Sequence, residues 1–155
     1  MKIERLIIIF FALLFISTID VNGQTRSQPS KKPAEKWIKI LDDDEAVAIY
    51  YNPKIVTDKA GNHIVWVKAV YYNEEWQRYF ADMIGSRSLV YTTKTKAKYD
   101  KDYNYVMVRQ VLAYSKTGRL LHNTGEDSSA GWYPVNASDP VGIVGEYLDN
   151  LRRKF

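Results

Sequence analysis

Lys94, Lys96 and Lys98, in the tract TKTKAKYD, are the residues whose spacing most directly suggests chemistry. In an extended strand alternate residues share a face, so these ammonium groups would project together at intervals of about 6.5–7 Å. Such a comb of positive charge suits an extended acidic partner, an extracellular protein or a glycan, better than a compact anion. The same alternation also suits an edge strand, where lysines deter pairing with a second sheet. The sequence leaves both readings open.

Catalytic chemistry has little to work with. His63 and His122 are the imidazoles of the chain, one expected to open a strand and the other to close one, and neither sits in a cluster with metal-ligand spacing. The chain contains no Cys, which removes thiolate nucleophiles, thiolate metal sites and disulfides. Residues 42–45, DDDE, read as a solvated turn rather than a calcium loop, because consecutive turn residues point apart. Asp100 with Asp102 and Glu74 with Glu75 are carboxylate pairs whose expected role is solvation. DSSAG lacks the glycine placement of a nucleophile elbow, and no glycine loop of the phosphate-cradling kind occurs. Asn136-Ala137-Ser138 fits the N-glycosylation triplet and is read as a chance match. The expectation is a non-enzymatic protein without cofactor or metal.

The N-terminus places that chemistry in a compartment. MKIER carries positive charge, LIIIFFALLFI over residues 6–16 is apolar but short for a bilayer, and VNG supplies small residues before Gln24. This is the plan of a cleavable signal peptide over residues 1–23, with no stable membrane span after cleavage. Residues 24–36, QTRSQPSKKPAEK, have prolines and charges but no large apolar side chain and read as a disordered linker. Residues 37–155 then form one domain, of a length that suits a single core. Export makes a nucleic-acid partner implausible, and a formal charge of +4 gives it little support. Periplasm, outer surface and medium all remain open as destinations, and a homodimer is admitted.

Period-two patterning dominates from Trp37 onward. WIKIL (37–41) and AVAIYY (46–51) flank the acidic turn. HIVWVKAVYY (63–72) is apolar on both faces and reads as a central strand covered on both sides. SLVYTTKTKAKYD (88–100) and YNYVMVRQVLAYS (103–115) follow, and SKTG turns the chain at Gly118 into RLLHN. Helical period appears twice. Trp76, Tyr79, Phe80, Met83 and Ile84 make one stripe, between a cap at Asn73 and a stop at Gly85. Val141, Val144, Tyr147, Leu148 and Leu151 make the other, after Asp139 as N-cap and Pro140 in the first turn. Trp132 and Tyr133 are expected to dock apolar rings ahead of it. Arg152, Arg153 and Lys154 fall at its negative end.

This order of features, Trp37, AIYYNPKIV, IVWVKAVYY, TKTKAKYD, a strand to Tyr114 turning at Gly118, then Trp132, Pro134 and Ser138 before a closing helix, resembles the surface-adhesin protein E-like family of bacterial exported domains. The resemblance covers most of residues 37–151. It implies an α+β fold: an antiparallel sheet of about six strands with a C-terminal helix, to which the pattern above adds one short internal helix. It also implies adhesion to host matrix or serum proteins. Family members often carry a Cys after the YD and another in the last helix, whereas KYDKDYNY and EYLDNL here have none. Tyr147, Leu148 and Leu151 must then join helix to sheet by packing alone. The runner-up expectation is a structural, envelope-associated periplasmic domain with no soluble ligand. If the signal reading holds, N-terminal sequencing of the exported protein will begin near Gln24, and recovery of Met1 would overturn it.

Overall fold

The computed structural model describes residues 35–154; residues 1–23, read from the sequence as a signal peptide, and all but the last two residues of the expected linker lie outside the described residues. The chain runs β1 (Ile38–Asp42), β2 (Val47–Tyr51), β3 (Val56–Thr57), β4 (His63–Tyr71), α1 (Glu74–Met83), β5 (Thr92–Tyr99), β6 (Tyr105–Tyr114), β7 (Leu120–Asn123), β8 (Tyr133–Pro134), α2 (Pro140–Arg152). Six strands form one antiparallel sheet in the order β1-β2-β4-β5-β6-β7, with the two-residue strands β3 and β8 pairing with β4 and β6. The class is α+β, with the C-terminal helix and the internal helix where the apolar stripes place them.

Both helices start on capping residues that satisfy amides with no partner inside the helix. The Asn73 side chain accepts from Glu75 N, and Asp139 Oδ1 accepts from Val141 N and Gly142 N, each at 2.8 Å for Asp139. Gly85 takes φ +65°, a left-handed conformation that releases the chain from α1.

The sheet has one dry face. Val65, Val67, Ala97, Tyr99, Val106 and Val111 point to it and pack against Val141, Val144 and Leu148 of α2. A neighbouring cluster joins Ala69, Tyr71 and Ala113 to Phe80 and Ala81 of α1. Several buried polar groups on this face are paired: Tyr71 and Thr93 share a hydrogen bond of 3.0 Å, and Gln77 Nε2 donates to Tyr71 O at 2.6 Å. The backbone of Gln77 accepts from Val90 N at 3.1 Å. Strand β5 accordingly begins at Thr92 rather than Ser88, because Val90, wholly buried, is held under α1 before the strand opens.

Helix α2 packs closely on Tyr99 of β5 and on the Asn136 backbone. The Tyr99 hydroxyl, fully buried, donates to Val141 O at 2.7 Å. A Cβ on Gly145 would lie 2.8 Å from the Tyr99 ring, and one on Gly142 would lie 1.5 Å from Asn136 O. Only glycine lets the helix approach so closely. Tyr147 and Leu151 flank this contact as partly buried members of the same cluster, and Tyr51 meets Tyr147 at 5.8 Å between ring centroids.

Three expectations need correction. Strand β4 is central, but only its odd-numbered residues are buried; Ile64, Trp66, Lys68 and Val70 are half-buried on a face that carries neither helix. Strand β5 lies between β4 and β6, so its lysines do not guard an edge. Trp132 is 42% exposed, and its ring lies near Lys98 rather than joining Tyr133 against the core. The placement of Leu148 yields a direct test: Leu148→Ala should destabilise the protein by about 2–5 kcal/mol in equilibrium urea unfolding, as large-to-small core changes do. A loss below about 0.5 kcal/mol would place that residue at the surface.

Candidate binding face of the sheet

Alternation along β5 buries Thr93, Thr95, Ala97 and Tyr99, which turns Lys94, Lys96 and Lys98 to the face without helices. The three are brought together as one row, and each is met by a carboxylate from a different segment. Lys94 pairs with Glu35 ahead of β1. Lys96 Nζ is 3.0 Å from Glu126, in the loop after β7. Lys98 Nζ is 2.8 Å from Asp58, in the turn between β3 and β4. The charge comb is therefore largely neutralised from within.

Two further cations belong to this face. A register shift places Gln110 opposite Lys96 and Val108 opposite Ala97, so Arg109 is the extra residue of a β-bulge in β6. The bulge brings Arg109 Nη2 to 2.8 Å from Glu126, which it shares with Lys96. Lys68, on β4, stands directly opposite Lys94 in the ladder. Like charges at opposed positions repel, and among the described residues no carboxylate forms an ion pair with Lys68. Its ammonium lies instead over the rings of Tyr50 and Trp37, at 4.1 and 4.9 Å. Burial, and then the charge of Lys94, pull Lys68 below the usual lysine value.

Aromatic rings border the row. Trp37 and Tyr114 lie 5.4 and 5.6 Å from Lys94 Nζ, and Trp132 lies 5.8 Å from Lys98 Nζ. The result is a shallow strip of ammonium groups interleaved with aromatic surface, able to meet anionic groups and flat apolar groups together. Lys68 escaped the sequence reading, although its signal was there: it is the one charge in HIVWVKAVYY and falls in phase with Trp66. Arg109 gave no such signal, because a bulge is not visible in alternation.

The other sequence candidates do not converge. His63 stacks on Tyr103 with 4.9 Å between centroids, and burial pushes His122 below the ordinary imidazole value at the far side of the sheet, on β7. Asp100 accepts from Tyr105 N, while Asp102 meets Arg152 at 3.0 Å. Glu74 pairs with Arg78, and residues 43–46 form the turn between β1 and β2. Arg152 and Arg153 both engage Asp149. Asn136 accepts from the backbone and hydroxyl of Ser138, closing a local turn. Among the described residues no group of three or more His, Cys, Asp or Glu could hold a metal ion. Among the same residues no helix is long and apolar enough to cross a membrane. No family model, curated protein or solved structure matches the chain.

The ion pairs have a pH signature. Hydrogen bonding to Lys98 holds Asp58 well below the ordinary carboxylate value, and hydrogen bonding to Lys96 lowers Glu126. A carboxylate depressed in the folded state contributes stability above its unfolded value, about 4, that is lost as pH falls through the folded value. The thermal midpoint should therefore fall between pH 5 and pH 2, and it should fall less in a Lys96→Gln/Lys98→Gln protein. Added salt should shrink the difference, since these groups are reached by solvent. Identical pH profiles for the two proteins would show that the pairs do not contribute.

Proposed function

We propose that this chain is an exported, non-enzymatic binding module that holds an extended acidic partner, an extracellular protein or a sulfated glycan, on the open face of its sheet. The observation that carries the reading is the pairing of Lys68 with Lys94. Two ammonium groups face each other across adjacent central strands, bordered by Trp37, Tyr50 and Tyr114, with Glu35 in an ion pair with Lys94 and its charge acting on Lys68 as well, though less than the charge of Lys94 does. An incoming anion relieves that repulsion, which exposed lysines scattered over a surface would not reward. The carboxylates of Glu35 and Glu126 are 54% and 42% exposed, so a stronger or multivalent anion can take their place at Lys94 and Lys96. Resemblance to bacterial surface adhesins, in the order of strands and in the TKTKAKYD tract, agrees with this role.

A structural, envelope-associated role is the second reading, and one observation favours it: each of the three lysines already has an internal partner that ties a peripheral segment to the sheet. Retention on immobilised heparin at low and high salt separates the two. Lys94→Gln/Lys96→Gln/Lys98→Gln should still unfold cooperatively, because exposed and half-exposed ion pairs add little to stability. It should lose most of its retention and most of the salt dependence. Lys68→Gln alone should weaken retention more than Lys96→Gln alone, because Lys96 already has a carboxylate at 3.0 Å, whereas Lys68 forms no ion pair among the described residues. Equal retention of wild type and triple variant at low salt would defeat the binding reading. Loss of cooperative unfolding in the triple variant would favour the structural one.

A further inference from the structure

A second site lies on the opposite, helix-bearing face. Between the two apolar clusters, beneath the turn that joins β1 to β2, there is a cleft of about 390 Å³. That volume is within the range of small-molecule sites, roughly 300–1,000 Å³. Its walls are apolar and aromatic: Ile49, Trp76, Phe80 and Ile143. Its charged side chains are all acidic, beside the neutral polar groups of Asn73 and Ser138. Asp43 and Glu45 stand at the turn, and Asp139 closes the inner end.

Asp139 is the informative residue. It is 4% exposed, and among the described residues no Lys, Arg or His forms an ion pair with it. Both hydrogen bonds that it accepts fall on Oδ1, so Oδ2 has no donor among the described residues. Burial raises its pKa, the mark of a carboxylate whose charge is incompletely compensated. Two helix N-termini also border the cleft, at Asn73 and at Asp139–Pro140, and their dipoles would attract an anion. Each amounts to about half an elementary charge, and the caps already occupy amides at both. Asp43, Glu45 and Asp139 outweigh them, and Glu74 and Glu75 in the first turn of α1 add to the negative side. The potential in the cleft therefore favours a cation.

We propose that this cleft binds a small organic cation, a primary ammonium carried on an aromatic or branched alkyl body, with the ammonium at Asp139 Oδ2 and the apolar part against Trp76, Phe80 and Ile143. A metal ion would leave the apolar walls unused, and a neutral hydrocarbon would leave the buried carboxylate without a counter-charge. The site stands apart from the lysine face and does not depend on the reading of that face.

Calorimetric titration of the purified protein with 2-phenylethylammonium, and in parallel with 2-phenylethanol as its neutral counterpart, tests the proposal. The ammonium should bind at least about tenfold more tightly than the alcohol, since a hydrogen bond to a charged group outweighs a neutral one. Asp139→Asn keeps a side chain able to cap α2 and should bring the two affinities together. Asp43→Asn/Glu45→Gln, altered only at exposed positions, should weaken the ammonium several-fold while leaving the alcohol unchanged, and it serves where Asp139→Asn does not fold. Equal affinity for both probes, no binding of the ammonium, or ammonium affinity indifferent to both variants would overturn the assignment.

Discussion

The contact of Tyr99 with α2 holds the two layers of this protein in register. Tyr99 sits on β5, near the middle of the sheet, and its hydroxyl is spent on the carbonyl of Val141 in the first turn of the helix. Burying a phenol costs stability unless the hydroxyl is hydrogen-bonded, so the helix cannot slide along the sheet without stranding that group. Asp139 fixes the same turn from its other side by capping it. The helix start, the depth at which Val144 and Leu148 enter the core, and the inner end of the cleft all follow from this contact.

Strand β5 thereby carries two loads of opposite character. Its odd-numbered residues are buried, with Ala97 and Tyr99 locked in apolar contact, and its even-numbered lysines are held by ion pairs that solvent can reach. The first kind of contact is strong and insensitive to salt, and the second is weak and exchangeable. A rigid strand with replaceable counter-charges on its outer side positions ammonium groups without consuming them. The arrangement needs no disulfide: β5 is paired on both sides, and helix and sheet are joined by close packing.

What was legible in the sequence was local. Asn73, Asp139-Pro140 and Gly118 mark caps and a turn through side-chain and backbone preferences that act over a few residues, and each lies where those preferences put it. Alternation in TKTKAKY assigned each residue to its face. Neighbourhood was not legible. Whether β5 stands at an edge or in the centre depends on which strands pair with it, and alternation says nothing of that. Glu35 and Glu126 reach their lysines across separations of 59 and 30 residues. The apolar even-numbered residues of β4 suggested a cover on both sides, whereas Trp66 and Val70 stay half-buried on a face that carries neither helix. The cleft is a product of packing between distant elements and left no periodic trace.

Gly142 and Gly145 give the helix an unusual response to substitution. At most core positions exchange for alanine deletes atoms and leaves a void. At these two, the same exchange inserts a methyl group into space already held by the Asn136 backbone and the Tyr99 ring. Backbone near Asn136 cannot yield as a flexible side-chain tip can, so the insertion would act as a wedge that lifts the helix start. The surface of α2 is thus defined as much by what it lacks as by its Val and Leu side chains. A tolerance map of this helix would show its severest positions where the smallest residue is replaced by the next smallest.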